Sequence, residues 1–296
     1  MNKYFVLAPR EMSQARIKSL LKKYLPRGKV TFGIAHEKYI AGFENQPQFK
    51  TLQGDFVKNL AAKSGGRLTV VEYPQSDGVD MINQLDFNRA IIINGSFHRS
   101  FHLRPECDAI ISKGAEIRYE SPFVDEQEAK DFADKVKQTE SRQETSGRED
   151  LLTDSRLSDP SLQEIIKKEA SKAFITDFQT AAAVVKDNKI IALAHNTVVP
   201  YETYAWHHGL EREKHKSPPG DSSKYDTVHA ETAALMEAGP KAKGATLYMQ
   251  TFPCPHCAKN ILYAGIKEVV YELDYGDDYG YNLFSRAGIK YRRYNE

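Results

Sequence analysis

His229, Cys254 and Cys257 supply one imidazole and two thiols, and Glu231 stands two residues after the histidine. These are ligand types that zinc prefers. Three protein ligands leave a fourth position open, the arrangement of a catalytic rather than a structural centre. A water in that position is acidified toward neutrality and becomes a usable nucleophile. Glu231 stays off the metal and is free to carry protons.

The spacing asks for two helix starts. His229 and Glu231 are expected in the first turn of a helix running through Thr232, Ala233, Ala234, Leu235 and Met236, since Ala and Leu are strong helix formers. Cys254 and Cys257, three apart, are expected to open a second helix and to share one of its faces. Pro253 and Pro255 suit a first turn, where a missing N–H costs little. Two helix N-termini aimed at one ion favour thiolates and a developing hydroxide. Taken alone, Cys-x-x-Cys also fits a redox pair or half of a structural zinc site. Taken alone, His-Ala-Glu is background. Their order, with a strand expected between them, favours one metal centre. A structural zinc needs a fourth protein ligand; His256 is the candidate, and its place between the cysteines turns it away from the ion.

The rest of the chain bounds the setting. Its 296 residues leave room for two domains. A formal net charge of +1 gives no global field for nucleic acid or an anionic membrane. No apolar run approaches the ~20 residues of a membrane span, and Met1-Asn2-Lys3-Tyr4 lacks the apolar core of a signal peptide. Of three cysteines, Cys107 is left over, so no disulfide framework is expected and the compartment is expected to be reducing and cytoplasmic.

Residues 1–137 alternate strand-like and helix-like segments, which argues for a Rossmann-like α/β domain, a parallel sheet covered by helices. Strands are expected at Tyr4–Ala8, Val30–Ile34, Leu68–Val71, Ala90–Asn94, Ala109–Ile111 and Ile117–Tyr119. Helices are expected at Glu11–Leu25, at Phe49–Lys63 with Phe49, Leu52, Phe56 and Leu60 on one face, at Val79–Leu85 and at Asp125–Lys137. Neither Gly-x-Gly-x-x-Gly nor Gly-x-x-x-x-Gly-Lys-Ser/Thr occurs. Gly95-Ser96-Phe97-His98-Arg99 follows a strand, where open α/β sheets place ligand loops. It reads as a surface loop or, alternatively, as a phosphate contact. Gly33-Ile34-Ala35-His36-Glu37-Lys38 has the same standing, and the role of this half stays open.

Residues 138–158 read as a linker, because Thr139–Asp150 is polar, mixed in charge and nearly free of apolar side chains. Residues 159–296 then form the domain that carries the metal centre. Ser158 or Asp159 caps its first helix, with Leu162, Ile165, Ile166, Ala170 and Ala173 as the buried stripe. Thr180–Val185 and Ile190–Ala194 read as a hairpin. Strands at 245–252, 268–272 and 289–291 and helices at 254 and 283–287 complete an α/β/α layer. The 198–227 insert holds Tyr201, Tyr204 and Trp206, which either stack on a base or pack the loop. It also holds Lys214, Lys216, Lys224 and Arg212 as unassigned phosphate contacts, and Trp206-His207-His208 with His215 as a remote option for a second metal.

This second half resembles the cytidine and deoxycytidylate deaminase superfamily over about residues 160–294. The deoxycytidylate branch matches best, through Pro253-Cys254-Pro255-His256-Cys257-Ala258-Lys259-Asn260-Ile261 and Ala264-Gly265-Ile266-Lys267-Glu268-Val269-Val270-Tyr271. His-x-Glu followed by Pro-Cys-x-x-Cys is the mark of zinc nucleobase deaminases. The resemblance implies zinc held by His229, Cys254 and Cys257, and hydrolytic deamination of a cytosine nucleotide such as dCMP to its uracil counterpart with release of ammonia. Glu231 would shuttle protons, Asn196 would bind the sugar hydroxyl, and the backbone of Ala230 would meet the pyrimidine carbonyl. It also leaves room for a homo-oligomer. The chain departs from the family's frequent Asn two residues after the Glu, where Thr232-Ala233 stand, and from its Gly-Tyr-Asn-Gly hairpin, replaced by Leu193-Ala194-His195-Asn196-Thr197. Two alternatives remain. One is a deaminase of single-stranded nucleic acid or tRNA, which the near-zero charge does not favour. The other is a nucleotide-sensing or partner-binding protein with a vestigial deaminase domain.

Overall fold

The computed structural model describes residues 2–97, 100–141, 157–174, 179–218 and 226–296. The chain divides into two compact units, residues 1–143 with 203–226, and residues 144–202 with 227–296.

The first unit begins β1 (Asn2–Leu7), α1 (Gln14–Tyr24), β2 (Gly28–Ala35), α2 (Asp55–Ala62), β3 (Leu68–Tyr73), α3 (Gly78–Gln84), β4 (Arg89–Ile93), α4 (Pro105–Ser112), β5 (Glu116–Glu120) and α5 (Glu126–Ser141). All five strands are parallel, in the order β3-β2-β1-β4-β5. Side chains alternate across a strand, so Tyr4 and Val6 join a core with Ile17, Leu20 and Val57, while Phe5 and Leu7 join one with Met81, Ile82 and Ile110. Helices therefore cover both faces, as the strand-helix alternation leads one to expect.

Two expected elements come out differently. Phe49 closes a short 3-10 turn, Pro47–Phe49, and residues 50–54 are not helical; the α-helix begins only at Asp55. Their backbone is claimed by other segments: Tyr39 and Lys50 form a bridge, as do Arg10 and Thr51, and Leu52 N–H donates to Pro9 at 2.8 Å. Phe49 and Leu52 are still buried, so an extended segment satisfies the same apolar spacing. Ala109–Ile111 is not a strand but lies in α4. Pro105 starts that helix, Cys107 and Ile110 face the core, and Ile111 is 56% exposed.

The second unit contains α6 (Asp159–Ala170), β6 (Ala181–Lys186) and β7 (Lys189–His195). Between this hairpin and the rest, α7 (Tyr204–His208) and α8 (Glu211–Lys214) belong to the first unit. The second unit then resumes with α9 (Ala230–Ala238), β8 (Thr246–Thr251), α10 (Pro255–Tyr263), β9 (Glu268–Leu273), α11 (Tyr279–Ala287) and β10 (Lys290–Arg293). Its sheet runs β10-β9-β8-β6-β7, parallel from β10 to β8 and antiparallel from β8 to β7. Asp187 and Asn188 both take positive φ, the geometry of a two-residue hairpin turn. Ser158 caps α6 as expected. Leu162, Ile166 and Ala170 cover one face of the sheet, and Ala230, Ala234, Ala258, Ile261 and Phe284 cover the other.

The inserted segment is anchored within the first unit. The Thr203 hydroxyl donates to Ala129 at 2.6 Å. The buried Glu213 carboxylate accepts from the backbone N–H of Phe101 and His102, from the His102 ring and from the Tyr119 hydroxyl. Trp206 is 5% exposed and packs against Phe49 and Phe132. It is a core residue, which removes it as a base-stacking platform. No helix among the described residues is long and apolar enough to cross a membrane.

Candidate active site

Both candidate metal-binding segments sit at helix starts, as the spacing predicts. His229 is the N-cap of α9 and Cys254 the N-cap of α10. The backbone pair Thr197–Val228 ties the approach to α9 to the end of the β6–β7 hairpin, with bonds of 2.8 and 3.1 Å. Phe252 N–H, just past β8, donates to Leu273 at 2.7 Å and fixes the approach to α10. Ala at 230, 234 and 238 keeps the inner face of α9 small and buried against the sheet.

The three donor atoms converge. His229 Nδ1 lies 3.3 Å from Cys257 Sγ and 3.6 Å from Cys254 Sγ. Zn–S bonds of about 2.3 Å and Zn–N bonds of about 2.0–2.1 Å at a tetrahedral angle place N and S about 3.6 Å apart. The cluster therefore fits zinc as it stands. It is the one group of three or more potential metal donors that gathers among the described residues. His256 is exposed and outside it, as expected. In the insert, His207 Nδ1 instead meets Ser121 Oγ at 2.8 Å, and His215 meets Glu211 at 3.3 Å.

The two thiols are electrically unequal. A hydrogen bond from Cys257 holds the Cys254 thiol well below the usual thiol range despite burial, with His229 assisting. Sharing that proton with Cys254, and burial, push Cys257 up. One proton between two sulfurs is a proton that a metal displaces on binding. Glu231, in the first turn of α9, has its carboxyl raised by burial, with a backbone hydrogen bond and His229 opposing.

Asn196 follows β7 and is 6% exposed. Its Oδ1 accepts from Thr180 N–H at 3.0 Å, and its own N–H donates to Thr180 O at 3.0 Å. The hydrogen bond to Oδ1 fixes the orientation of the side-chain amide. Ala230 is the first residue of α9, where backbone N–H groups have no intrahelical partner.

Three further residues were not singled out by sequence. The Thr232 hydroxyl lies 3.7 Å from Cys257 Sγ and accepts from Asn260 Nδ2 at 3.1 Å. Glu169 on α6 is 7% exposed and meets His195 Nδ1 at 2.8 Å and Lys172 Nζ at 2.6 Å, steadying the strand end next to Asn196. Glu169 falls on the spacing of Leu162, Ile165 and Ile166, and a carboxylate on an apolar stripe is the signal that finds it.

Residues 158–273 match the cytidine and deoxycytidylate deaminase zinc-binding region. The chain is 32% identical to the deoxycytidylate deaminase of Homo sapiens over 127 residues, which are 39% of this chain and 67% of that one. The chain belongs to the cytidine and deoxycytidylate deaminase family. A second member, the deoxycytidylate deaminase of Saccharomyces cerevisiae, is 33% identical over 132 residues, 43% of this chain and 41% of that one. The chain thus spans less than half the length of this curated relative. A solved dCMP deaminase from the cyanophage S-TIM5, in complex with dCMP and dUMP, is 23% identical with a TM-score of 0.35, covering 45% of this chain and 94% of that one. The family's zinc-binding region takes in His229, Cys254 and Cys257, the same residues that converge here.

Proposed function

We propose that the second unit is a zinc-dependent deaminase of a cytosine nucleotide, dCMP in the first instance. The observation that carries this is the convergence of His229 Nδ1 with both cysteine sulfurs beside Glu231, at separations that suit zinc. When bound, zinc supplies an acidified water as nucleophile.

The chain's own residues do the rest. Glu231 takes a proton from the attacking water and delivers it to ring N3, so that C4 accepts the oxygen. It then moves a proton to the departing amino group; cytosine and water become uracil and ammonia. The Ala230 N–H donates to the pyrimidine carbonyl. The Asn196 amide, held through Oδ1, donates to the sugar hydroxyl. In this reading residues 159–296, apart from the inserted 203–226, form the deaminase domain, and residues 1–137 form a Rossmann-like domain, supported by five parallel strands in the order β3-β2-β1-β4-β5. A soluble cytoplasmic enzyme acting on a free nucleotide, as a homo-oligomer, completes the proposal.

Ammonia release from zinc-loaded protein is the test, run against cytidine, deoxycytidine, CMP, dCMP, dCTP and a short cytosine-containing oligonucleotide. Turnover of a mononucleotide is expected. Turnover of the oligonucleotide alone moves the assignment to a polymer, and silence on all six refutes it.

A further inference from the structure

In the first unit, β1 and β4 are neighbours from which the sheet grows in opposite directions, toward β2 and β3 on one side and β5 on the other. Helix α1 packs on one face, and α3 and α4 on the other. Open α/β sheets bind ligands above the carboxyl ends of two such strands. The segments there are Ala8-Pro9-Arg10, after β1, and Asn94-Gly95-Ser96, after β4.

Arg10 and Ser96 are each 1% exposed. Arg10 Nε donates to the Gly95 carbonyl at 2.8 Å. The guanidinium carbon lies 3.7 Å from the Trp206 ring centroid and 5.2 Å from that of Phe49. These contacts fix the guanidinium plane and neutralise none of its charge. An Arg10 terminal nitrogen (NH2) and Ser96 Oγ are buried with no hydrogen-bond partner among the described residues. Burial draws the guanidinium down to about 9, with the exposed Glu11 opposing, so it is still a cation at neutral pH. A buried cation is strongly unfavourable unless an anion meets it.

We propose that the crevice above β1 and β4 binds a phosphate group, with Arg10 and Ser96 as its side-chain donors. Phosphate suits the donors better than carboxylate. Because Nε is committed to Gly95, Arg10 cannot offer the Nε edge for bidentate pairing. What remains is the outer end of the guanidinium and a separate hydroxyl. A tetrahedral anion with several acceptor oxygens satisfies both at once. This site is independent of the deaminase reading.

The test is calorimetric titration and thermal unfolding of the full chain, zinc-loaded, with inorganic phosphate and with potassium chloride at matched ionic strength. Phosphate is expected to bind and raise the Tm by mass action. Ser96→Ala is expected to weaken binding about tenfold, and Arg10→Gln more than that. Ribose 5-phosphate and AMP distinguish the sources. Binding at least about tenfold tighter than phosphate assigns a phosphorylated metabolite, and equal affinity assigns the free ion. No response of the wild type at about 10 mM phosphate overturns the site. So does unchanged affinity in Ser96→Ala, whatever Arg10→Gln does, including failing to fold.

Discussion

His229 Nδ1 and Cys257 Sγ lie 3.3 Å apart although 28 positions separate them in the chain. The contact exists because β8 returns the chain to the sheet so that α10 starts beside the start of α9. Cys257→Ser replaces a thiolate by a poor zinc ligand. Zinc content by mass spectrometry is expected to fall from about one per chain, with affinity lowered by a hundredfold or so or more. Full zinc occupancy in the variant contradicts the ligand set.

Thr232→Val removes the hydroxyl facing Cys257 Sγ and keeps the side chain's shape. Partners of metal ligands typically contribute ten- to a hundredfold in affinity or activity. The expected outcome is about tenfold weaker zinc binding in a chelator competition, with the melting curve of the zinc-saturated protein nearly unchanged.

Glu169 ties stability to pH. Burial acts to raise its carboxyl, and the hydrogen bonds from His195 and Lys172 outweigh burial and hold it down to about 2, against an ordinary 4.5. A depressed carboxylate stabilises the fold fully above its unfolded value and loses that contribution as pH falls toward the folded one. Glu169→Gln is therefore expected to cost on the order of 2 kcal/mol in urea unfolding at pH 7, after allowing for solvent screening. That cost should stay flat down to about pH 5 and shrink between 4.5 and 2. A cost that grows on acidification contradicts the ion pair.

Gly95 has φ +68, and a Cβ there would lie 2.8 Å from Trp206 Cδ1. Gly65 has φ +62 with nothing within 4 Å of its Cβ. Gly65→Ala should cost about 1 kcal/mol, from left-handed strain alone. Gly95→Ala should cost at least about 2 kcal/mol, strain plus a displaced Trp206. Equal losses in denaturant unfolding would remove the packing argument.

The metal centre was legible because its signal is local: a His-x-Glu and a Cys-x-x-Cys each occupy one helix turn, and spacing fixes their faces. The sheet of the second unit was legible for the same reason, since each strand is bounded by turn residues such as Asp187-Asn188. Ala109–Ile111 was misread because a short apolar run serves a helix or a strand equally well. Phe49 and Leu52 keep their helical spacing while the Phe49 carbonyl accepts from Ile40 N–H and Leu52 N–H donates to Pro9, partners that the local pattern hides. Arg10 was illegible outright. Its meaning comes from Gly95, 85 positions away, and from Trp206, which sequence order assigns to the other half.

The central claim is that Glu231 moves protons and does not hold the metal. The most direct test compares ammonia release from dCMP by wild type and Glu231→Gln at matched, measured zinc content. The expected result is equal zinc and a loss of turnover of at least about a hundredfold in the variant. Turnover within a few-fold of wild type, or loss of zinc together with activity, contradicts that role.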